Sequence, residues 1–186
     1  MRPRDSRKPR EDRRIAKTQA QLSGALIELL LERGWDAIGV GELCDRADVA
    51  RSTFYLHFAN KEELLESGFS ALRDIIRVDA PTTSLNHSGQ FGFVEGLAKH
   101  IFENRKTFLA LVGKNGASIV RERFRGLLET MIAEELAACG KADNAKICFL
   151  SGGFVSMAAS CMATKNSDSQ PFVKKFNAYA APIIAL

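Results

Sequence analysis

The chain has 186 residues, 46% of them hydrophobic, and a formal net charge of +4. This length and apolar content exclude an intrinsically disordered chain and predict one large domain or two small ones with a packed core. Leu, Ala, Glu, Lys and Arg dominate the periodic segments and no alternating β-type stretch occurs, so the composition predicts an all-α protein, while the positive charge indicates a polyanionic partner.

The positive charge is concentrated at the N-terminus. Residues 1–17 contain eight basic and three acidic residues, whereas residues 18–66 contain four basic and nine acidic ones. Residues 1–12 have too little apolar content to pack, and we expect them to form a disordered basic arm. No apolar segment of a secretory signal follows this basic start, which predicts a cytoplasmic protein.

Two helices are predicted after the arm. The first ends at Gly34, a residue suited to the left-handed conformation of a helix stop, and its apolar positions at helical spacing are Ile15, Leu22, Leu26, Leu29 and Leu30. The second follows Gly39 as its N-cap, and its apolar face consists of Val40, Leu43, Cys44 and Ala47.

A break at residues 47–49 separates the second helix from a third, predicted over residues 51–57. Asp48 tolerates the left-handed backbone that a tight turn requires. Two short helices joined in this way, over about residues 39–58, have the geometry of a helix-turn-helix.

A fourth helix is predicted from the N-cap Asn60 to about Arg77, since Glu62 and Glu63 favour the helix dipole in its first turn. A polar loop containing Pro81 follows over residues 78–89 and marks a domain boundary. Beyond it, helical periodicity predicts five further helices, at about residues 90–104, 106–112, 118–139, 143–164 and 169–186.

The third helix is the candidate for reading DNA, because its apolar and polar positions segregate. An inward face is available from Val49, Phe54 and Phe58. Arg51 is then placed to contact guanine, and Leu56 to contact a thymine methyl group. The other side chains expected to face the groove or to reach phosphate oxygens are Ser52, Thr53, Tyr55 and Lys61.

These segments resemble the DNA-binding domain of TetR-family transcriptional regulators over about residues 13–69. The resemblance is carried by residues 38–44 (IGVGELC), 47–58 (ADVARSTFYLHF) and 60–65 (NKEELL). The last two runs are far more specific than a generic helix-turn-helix pattern. Three positions depart from the family, which usually has glycine where Asp48 stands and commonly has serine or threonine where Gly39 and Ala50 stand.

The resemblance implies a bacterial all-α homodimer of about nine helices. Its parts would be a three-helix DNA-binding domain at residues 13–72 and an effector-binding and dimerisation domain at residues 73–186. The function implied is that of a repressor, associated with the nucleoid, that a small-molecule effector releases from a palindromic operator.

The resemblance also assigns individual residues. Thr53, Tyr55 and His57 would lie on the recognition helix, and Lys61 would bind a phosphate at the start of the fourth helix. Minor-groove or phosphate contacts are also available to the residues at the start of the first helix, which are Arg13, Arg14 and Lys17.

A small-molecule pocket between the middle helices is a further implication of the family. His100 is a candidate polar anchor, and the candidate lining residues are Phe102, Phe124, Met131 and Phe154. The same aromatic and methionine stripes also suit a plain hydrophobic core, and this alternative stays open.

Residues 144–164 are apolar almost all round, which predicts burial on more than one side. Their run of uncharged residues approaches the length of a membrane span, but its glycines and serines argue against one. The small residues Gly152, Ser156 and Ser160 form a smooth ridge that allows another helix to approach closely. The residues expected to contact a second copy are Gly152, Ser156, Ser160, Phe172, Phe176 and Tyr179. Packing of both helices within one monomer is the alternative.

Other functions find less support in the sequence. The cysteines have no C-x-x-C pairing and no nearby histidine, so no metal site and no cofactor are predicted. No nucleophile with a base, no paired carboxylates and no phosphate loop have supporting spacing, so we predict no enzyme and no catalytic residue. The alternatives are a ligand-independent architectural protein of the nucleoid and, more remotely, a small helical enzyme.

Overall fold

The computed structural model describes residues 8–79, 85, 89–113, 117–163 and 168–186. Over these residues the chain forms nine α-helices and no strand, which confirms the all-α prediction. The helices are α1 (Lys8–Arg33), α2 (Val40–Ala47), α3 (Arg51–His57), α4 (Lys61–Asp79), α5 (Phe93–Glu103), α6 (Arg105–Leu111), α7 (Ser118–Ala138), α8 (Asn144–Ala163) and α9 (Gln170–Ala185). Two compact units divide inside α4, between Gly68 and Phe69.

The first helix begins earlier than the sequence predicts. Residues 8–12 belong to α1 rather than to the expected disordered arm, and residues 1–7 lie outside the described residues. Pro9 is compatible with this start because a helix leaves its first N–H groups without intrahelical partners, so the missing donor costs nothing there. The predicted loop at residues 78–89 also falls largely outside the described residues.

The first unit is a small helical cluster around α1. Gly34 ends that helix with φ 76°, as predicted. Side chains from four helices and from the residue after α3 fill the core, and the fully or almost fully buried ones include Leu22, Leu26, Leu29, Leu43, Phe54, Phe58 and Leu64. This core orients the two short helices, which are too short to be stable alone.

The second unit has a larger apolar core that α4 to α9 enclose. Aromatic rings dominate its centre. Phe154 of α8 meets the rings of Phe172 and Phe176 of α9 edge-on at 5.0 and 5.1 Å between centroids. Such pairs add to the free energy gained from burying their area, so α8 and α9 are firmly joined within one chain.

Adjacent carboxylates of α7 tie two other helices to it. Glu134 forms ion pairs with Arg73 and Arg77 of α4. Glu135 is only 4% exposed and accepts hydrogen bonds from the backbone N–H groups of Gly92 (2.9 Å) and Phe93 (3.2 Å). It therefore supplies the cap that no side chain of α5 itself provides.

Candidate DNA-binding surface

A tight turn sets the angle between α2 and α3. Asp48 follows α2 with φ 52° and ψ 48°, in the left-handed region. Its N–H donates to the carbonyl of Asp45 (3.3 Å), and the N–H of Val49 donates to that of Cys44 (3.0 Å). A short polar side chain adopts this conformation more readily than most, so the predicted turn at Asp48 is confirmed.

The seven-residue helix α3 separates its side chains into two faces. Phe54 is completely buried, and its ring lies 5.8 Å from that of Phe58. Tyr55 is 59% exposed and Leu56 is 81% exposed. The remaining predicted side chains of α3 lie on or beside this exposed face, with Arg51 and Ser52 exposed and Thr53 and His57 half-buried. The anchor and the reading face thus coexist within two turns.

Arg51 rests against α2. A Cβ atom at Gly41 would overlap the Arg51 guanidinium, so glycine at this position gives the side chain its place. The same positive charge partly offsets the effect of burial, which raises the pKa of the Cys44 thiol. Arg51 is nevertheless exposed, and a rotation of its long side chain would carry the guanidinium away from α2.

Lys61 does not point freely into solvent. Its Nζ donates to the backbone carbonyl oxygens of Trp35 (2.8 Å) and Ile38 (2.9 Å) and lies 4.5 Å from the centroid of the Trp35 ring. The ammonium is therefore held by groups of its own chain, and the expected phosphate contact stays a prediction. Sequence reasoning missed the contacts with Trp35 and Ile38 because the partners are backbone atoms far away along the chain.

Ion pairs join α1 to α2. Arg46 donates two hydrogen bonds of 2.8 Å, one to each carboxylate oxygen of Glu32, and these bonds hold the pKa of Glu32 below its usual range. Arg33 pairs with Glu42 at 2.5 Å. Both pairs are partly exposed, so each contributes modestly to stability, but the two-pronged geometry of Arg46 favours a fixed orientation of α2.

The basic residues at the start of α1 are accessible. Arg13, Arg14 and Lys17 are all exposed. They come directly before residues 18–66, in which acidic residues outnumber basic ones. An approach to a polyanion would depend strongly on them, because nearby carboxylates repel the same ligand.

The family comparison agrees with this geometry. Residues 24–67 match the family model described as bacterial regulatory proteins, tetR family. That segment contains α2, α3 and the first turns of α4. This segment is therefore similar to the helix-turn-helix domain of TetR-family regulators.

A curated relative and solved structures extend the comparison. The HTH-type transcriptional activator FasR of Mycolicibacterium smegmatis is 41% identical over 61 residues, which are 33% of this chain and 26% of that protein. A TetR regulator from Streptococcus agalactiae aligns with a TM-score of 0.60 at 23% identity, over 92% of this chain and 97% of that one. The TetR-family repressor FadR of Thermus thermophilus, solved in complex with lauroyl-CoA, aligns with a TM-score of 0.54 at 18% identity, over 90% and 93%.

The curated relatives and the solved structures are matched over different shares of their length. The curated relatives are matched over 15 to 44% of their own length. The solved structures are matched over nearly all of theirs, and at this low identity they show the fold. The TetR-like fold is therefore shared along the described chain, while sequence similarity is concentrated in the helix-turn-helix region.

The predicted effector residues lie in the second unit. Phe102, Phe124, Met131 and Phe154 are buried in its apolar core, and His100 is half-buried on α5. The structure thus gathers the four apolar residues in one core but leaves the polar anchor at its edge. Their role in holding a ligand stays a prediction.

The predicted dimer residues fall into two groups. Ser156 and Ser160 are exposed, Gly152 is half-buried, and Tyr179 is 57% exposed. Phe172 and Phe176 are each only 2% exposed, because their rings pack on Phe154 inside the same chain. These two phenylalanines are therefore core residues rather than surface contacts, which corrects the sequence-based prediction.

The remaining predictions concern the cysteines and the membrane. Cys44 is buried, Cys161 is half-buried, and Cys139 and Cys148 are exposed, all as free thiols. Among the described residues no cluster of three His, Cys, Asp or Glu side chains could hold a metal ion. Within the same residues, one helical stretch, Asn144–Met162, is long and apolar enough to cross a membrane, and 28% of it is buried in the chain.

Proposed function

We propose that this chain is a DNA-binding transcriptional regulator, a homodimeric repressor that a small-molecule effector releases from a palindromic operator in the cytoplasm. The observation that carries the proposal is the face of α3, where Leu56 and Tyr55 are largely exposed beside a completely buried Phe54. An exposed leucine on a rigidly anchored helix suggests a surface that meets a partner.

Base reading follows from the chemistry of that face. The Arg51 guanidinium can donate two hydrogen bonds to guanine O6 and N7 once it leaves Gly41, and the Leu56 methyl groups can contact thymine C5. Tyr55 and Ser52 supply hydroxyl donors for flanking phosphates. Arg13, Arg14 and Lys17 would add the charge that brings the acidic domain to DNA.

Homodimer formation is supported by α8. This helix has a single charged residue, Lys146, and one side of it is exposed within one chain at Cys148, Phe149, Ser156 and Ser160. Ser156 and Ser160 leave room for another helix to approach closely. A dimer places two copies of α3 on one side of the duplex, which requires an operator with two half-sites.

Effector release is supported by the composition of the second unit. Its core is rich in Phe and Met side chains, which can rearrange around an apolar ligand. The T. thermophilus FadR repressor was solved with lauroyl-CoA, so that compound is a suitable first probe. An effector acts by binding more tightly to a conformation whose two recognition helices are wrongly spaced for DNA.

Selection from a random double-stranded oligonucleotide pool tests the proposal. The purified chain should recover a palindromic site, and Arg51→Ala and Leu56→Ala should each relax preference at one position by about 1–3 kcal/mol. Lys106→Ala, an exposed lysine on α6, is the matched control and should leave the recovered site unchanged.

The same selection separates the alternatives. Recovery of many unrelated sequences with equal affinity would favour an architectural protein of the nucleoid and contradict the proposal. If neither acyl-CoA nor cell extract changes the affinity for the selected site, that result would contradict release by an effector and still support specific DNA binding. Transcription from a promoter that carries the site then decides between a repressor and an activator such as FasR.

A further inference from the structure

Lys61, at the start of α4, makes an unusual set of contacts for a lysine. Its ammonium donates to two carbonyl oxygens of the connection between α1 and α2, those of Trp35 and Ile38, and stands over the Trp35 ring. A cation between two carbonyl dipoles and an aromatic face is stabilised by all three.

The two carbonyls need such a donor. Trp35 is 7% exposed and Ile38 is 3% exposed, whereas Asp36 and Ala37 between them are exposed. Among the described residues, the Trp35 carbonyl also accepts a backbone hydrogen bond, from the N–H of Ile38 at 3.2 Å. Buried carbonyls without partners are costly, so Lys61 contributes to the stability of this connection.

The start of α4 does not need the Lys61 side chain. Asn60 Oδ1 accepts a hydrogen bond from the N–H of Glu63 (2.8 Å), and the Glu63 carboxylate accepts one from the N–H of Ala59 (2.6 Å). These reciprocal bonds cap the helix by themselves. The contacts of Lys61 therefore serve something other than helix initiation.

The positions that these Lys61 contacts join along the chain indicate their role. The bond from Lys61 to the Ile38 carbonyl joins residues 23 positions apart, and the segment between them contains the whole of α2, the turn at Asp48 and α3. Closing this segment at its two ends restricts the angles at which α3 can leave the core.

We propose that Lys61 is a positioning residue: its ammonium closes the helix-turn-helix segment at Trp35 and Ile38 and so fixes the orientation in which α3 meets DNA, instead of binding a phosphate. The inference rests on the proposed DNA-binding function. The contacts of Lys61 with Trp35 and Ile38 can, however, be measured without DNA.

That readout is Trp35, because the sequence contains a single tryptophan. Lys61→Met keeps the alkyl stem and removes the ammonium. We expect a change in Trp35 emission and a lower unfolding midpoint in the variant, whereas Lys17→Met, at an exposed position on α1, should alter neither. Unchanged emission and midpoint in Lys61→Met would overturn the proposal.

DNA binding supplies the second measurement, made well below the unfolding midpoint on the selected site and on an unrelated duplex. We expect Lys61→Met to lose about tenfold in affinity for the selected site only, with an unchanged dependence of log K on log salt concentration. A phosphate ligand would instead lower both affinities and reduce the slope by about 0.9, and that result would refute the positioning role.

The unmodified protein gives a third measurement, which serves if Lys61→Met does not fold. Acetylation of the native chain, followed by mass spectrometry, should modify Lys61 about tenfold more slowly than the exposed Lys17 and Lys106, since two of its protons are bonded. Equal rates would overturn the closure. If the wild-type chain binds no duplex, the proposed function fails while the Trp35 and acetylation measurements still decide whether the closure exists.

Discussion

At the residue scale, the turn between α2 and α3 depends on a side chain in an unfavourable backbone conformation. Among the described residues, Asp48 is the one non-glycine residue with a positive φ. The left-handed region brings Cβ close to the carbonyl oxygen, and aspartate tolerates this more readily than most residues but still less readily than glycine. TetR-family domains usually have glycine here, so this chain keeps the turn at some expense in stability.

Asp48→Gly should therefore stabilise the first unit. Relief of Cβ strain outweighs the extra freedom that glycine gives the unfolded chain, and we expect a gain of about 0.5 kcal/mol in the free energy of unfolding. Urea denaturation followed by Trp35 fluorescence measures it. As a control, Asp45→Gly places glycine at an exposed position inside α2 and should cost about 0.3 kcal/mol. A loss of stability in Asp48→Gly would contradict this account of the turn.

Sequence reasoning at this scale succeeds where a contact is local. The left-handed Asp48, the stop at Gly34 and the cap at Asn60 follow from residue type and immediate neighbours, and the structure has all three. The role of Lys61 could not be found in this way. Its carbonyl partners lie 26 and 23 residues away, and backbone atoms leave no signature in residue identity.

At the scale of helices, the N-terminus of α5 depends on a carboxylate from another helix. Burial raises the pKa of Glu135, against the two backbone hydrogen bonds that lower it. A carboxyl group with a higher pKa in the folded state holds its proton more tightly when folded. Its contribution to stability is therefore fully present below the pKa of the unfolded chain and is lost as pH rises through the folded pKa.

Glu135→Gln should remove this pH dependence while keeping an oxygen acceptor for α5. We expect the unfolding free energy of the wild type, minus that of the variant, to fall as pH rises from about 4 to about 8. Urea denaturation at a series of pH values gives the difference. Glu103→Gln, exposed at the end of α5, is the control for general effects of charge removal. A difference that increases with pH would mean that the hydrogen bonds outweigh burial.

Helix positions were largely predictable because the apolar periodicity of amphipathic helices is strong. All nine predicted helices overlap the observed ones along the described residues. The two failures concern what periodicity does not encode. Polar residues 8–12 extend α1 although they have no apolar stripe, and Phe172 and Phe176 face their own chain, because a pattern marks a buried face without telling which surface buries it.

At the scale of the whole molecule, the exposed side of α8 supports the proposed homodimer. Phe149 is 66% exposed, and the small residues Gly152, Ser156 and Ser160 follow it along the helix. One short recognition helix makes few base contacts, so operator affinity depends on joining two of them rigidly. Because Phe172 and Phe176 lie in the core, the proposed contact between copies falls to α8 and Tyr179.

Ser156→Arg tests this arrangement directly, because a long cation at the centre of a closely packed ridge would be buried without a partner. We expect the variant to sediment as a folded monomer, to lose about 10²–10⁴-fold in affinity for a palindromic site and to keep wild-type affinity for a single half-site. Ser118→Arg adds the same charge at an exposed position on α7 and should remain dimeric. A Ser156→Arg chain that still sediments as a dimer would place the contact between copies elsewhere. Equal loss at palindrome and half-site would show that the substitution had disturbed α3 rather than the pairing of two chains.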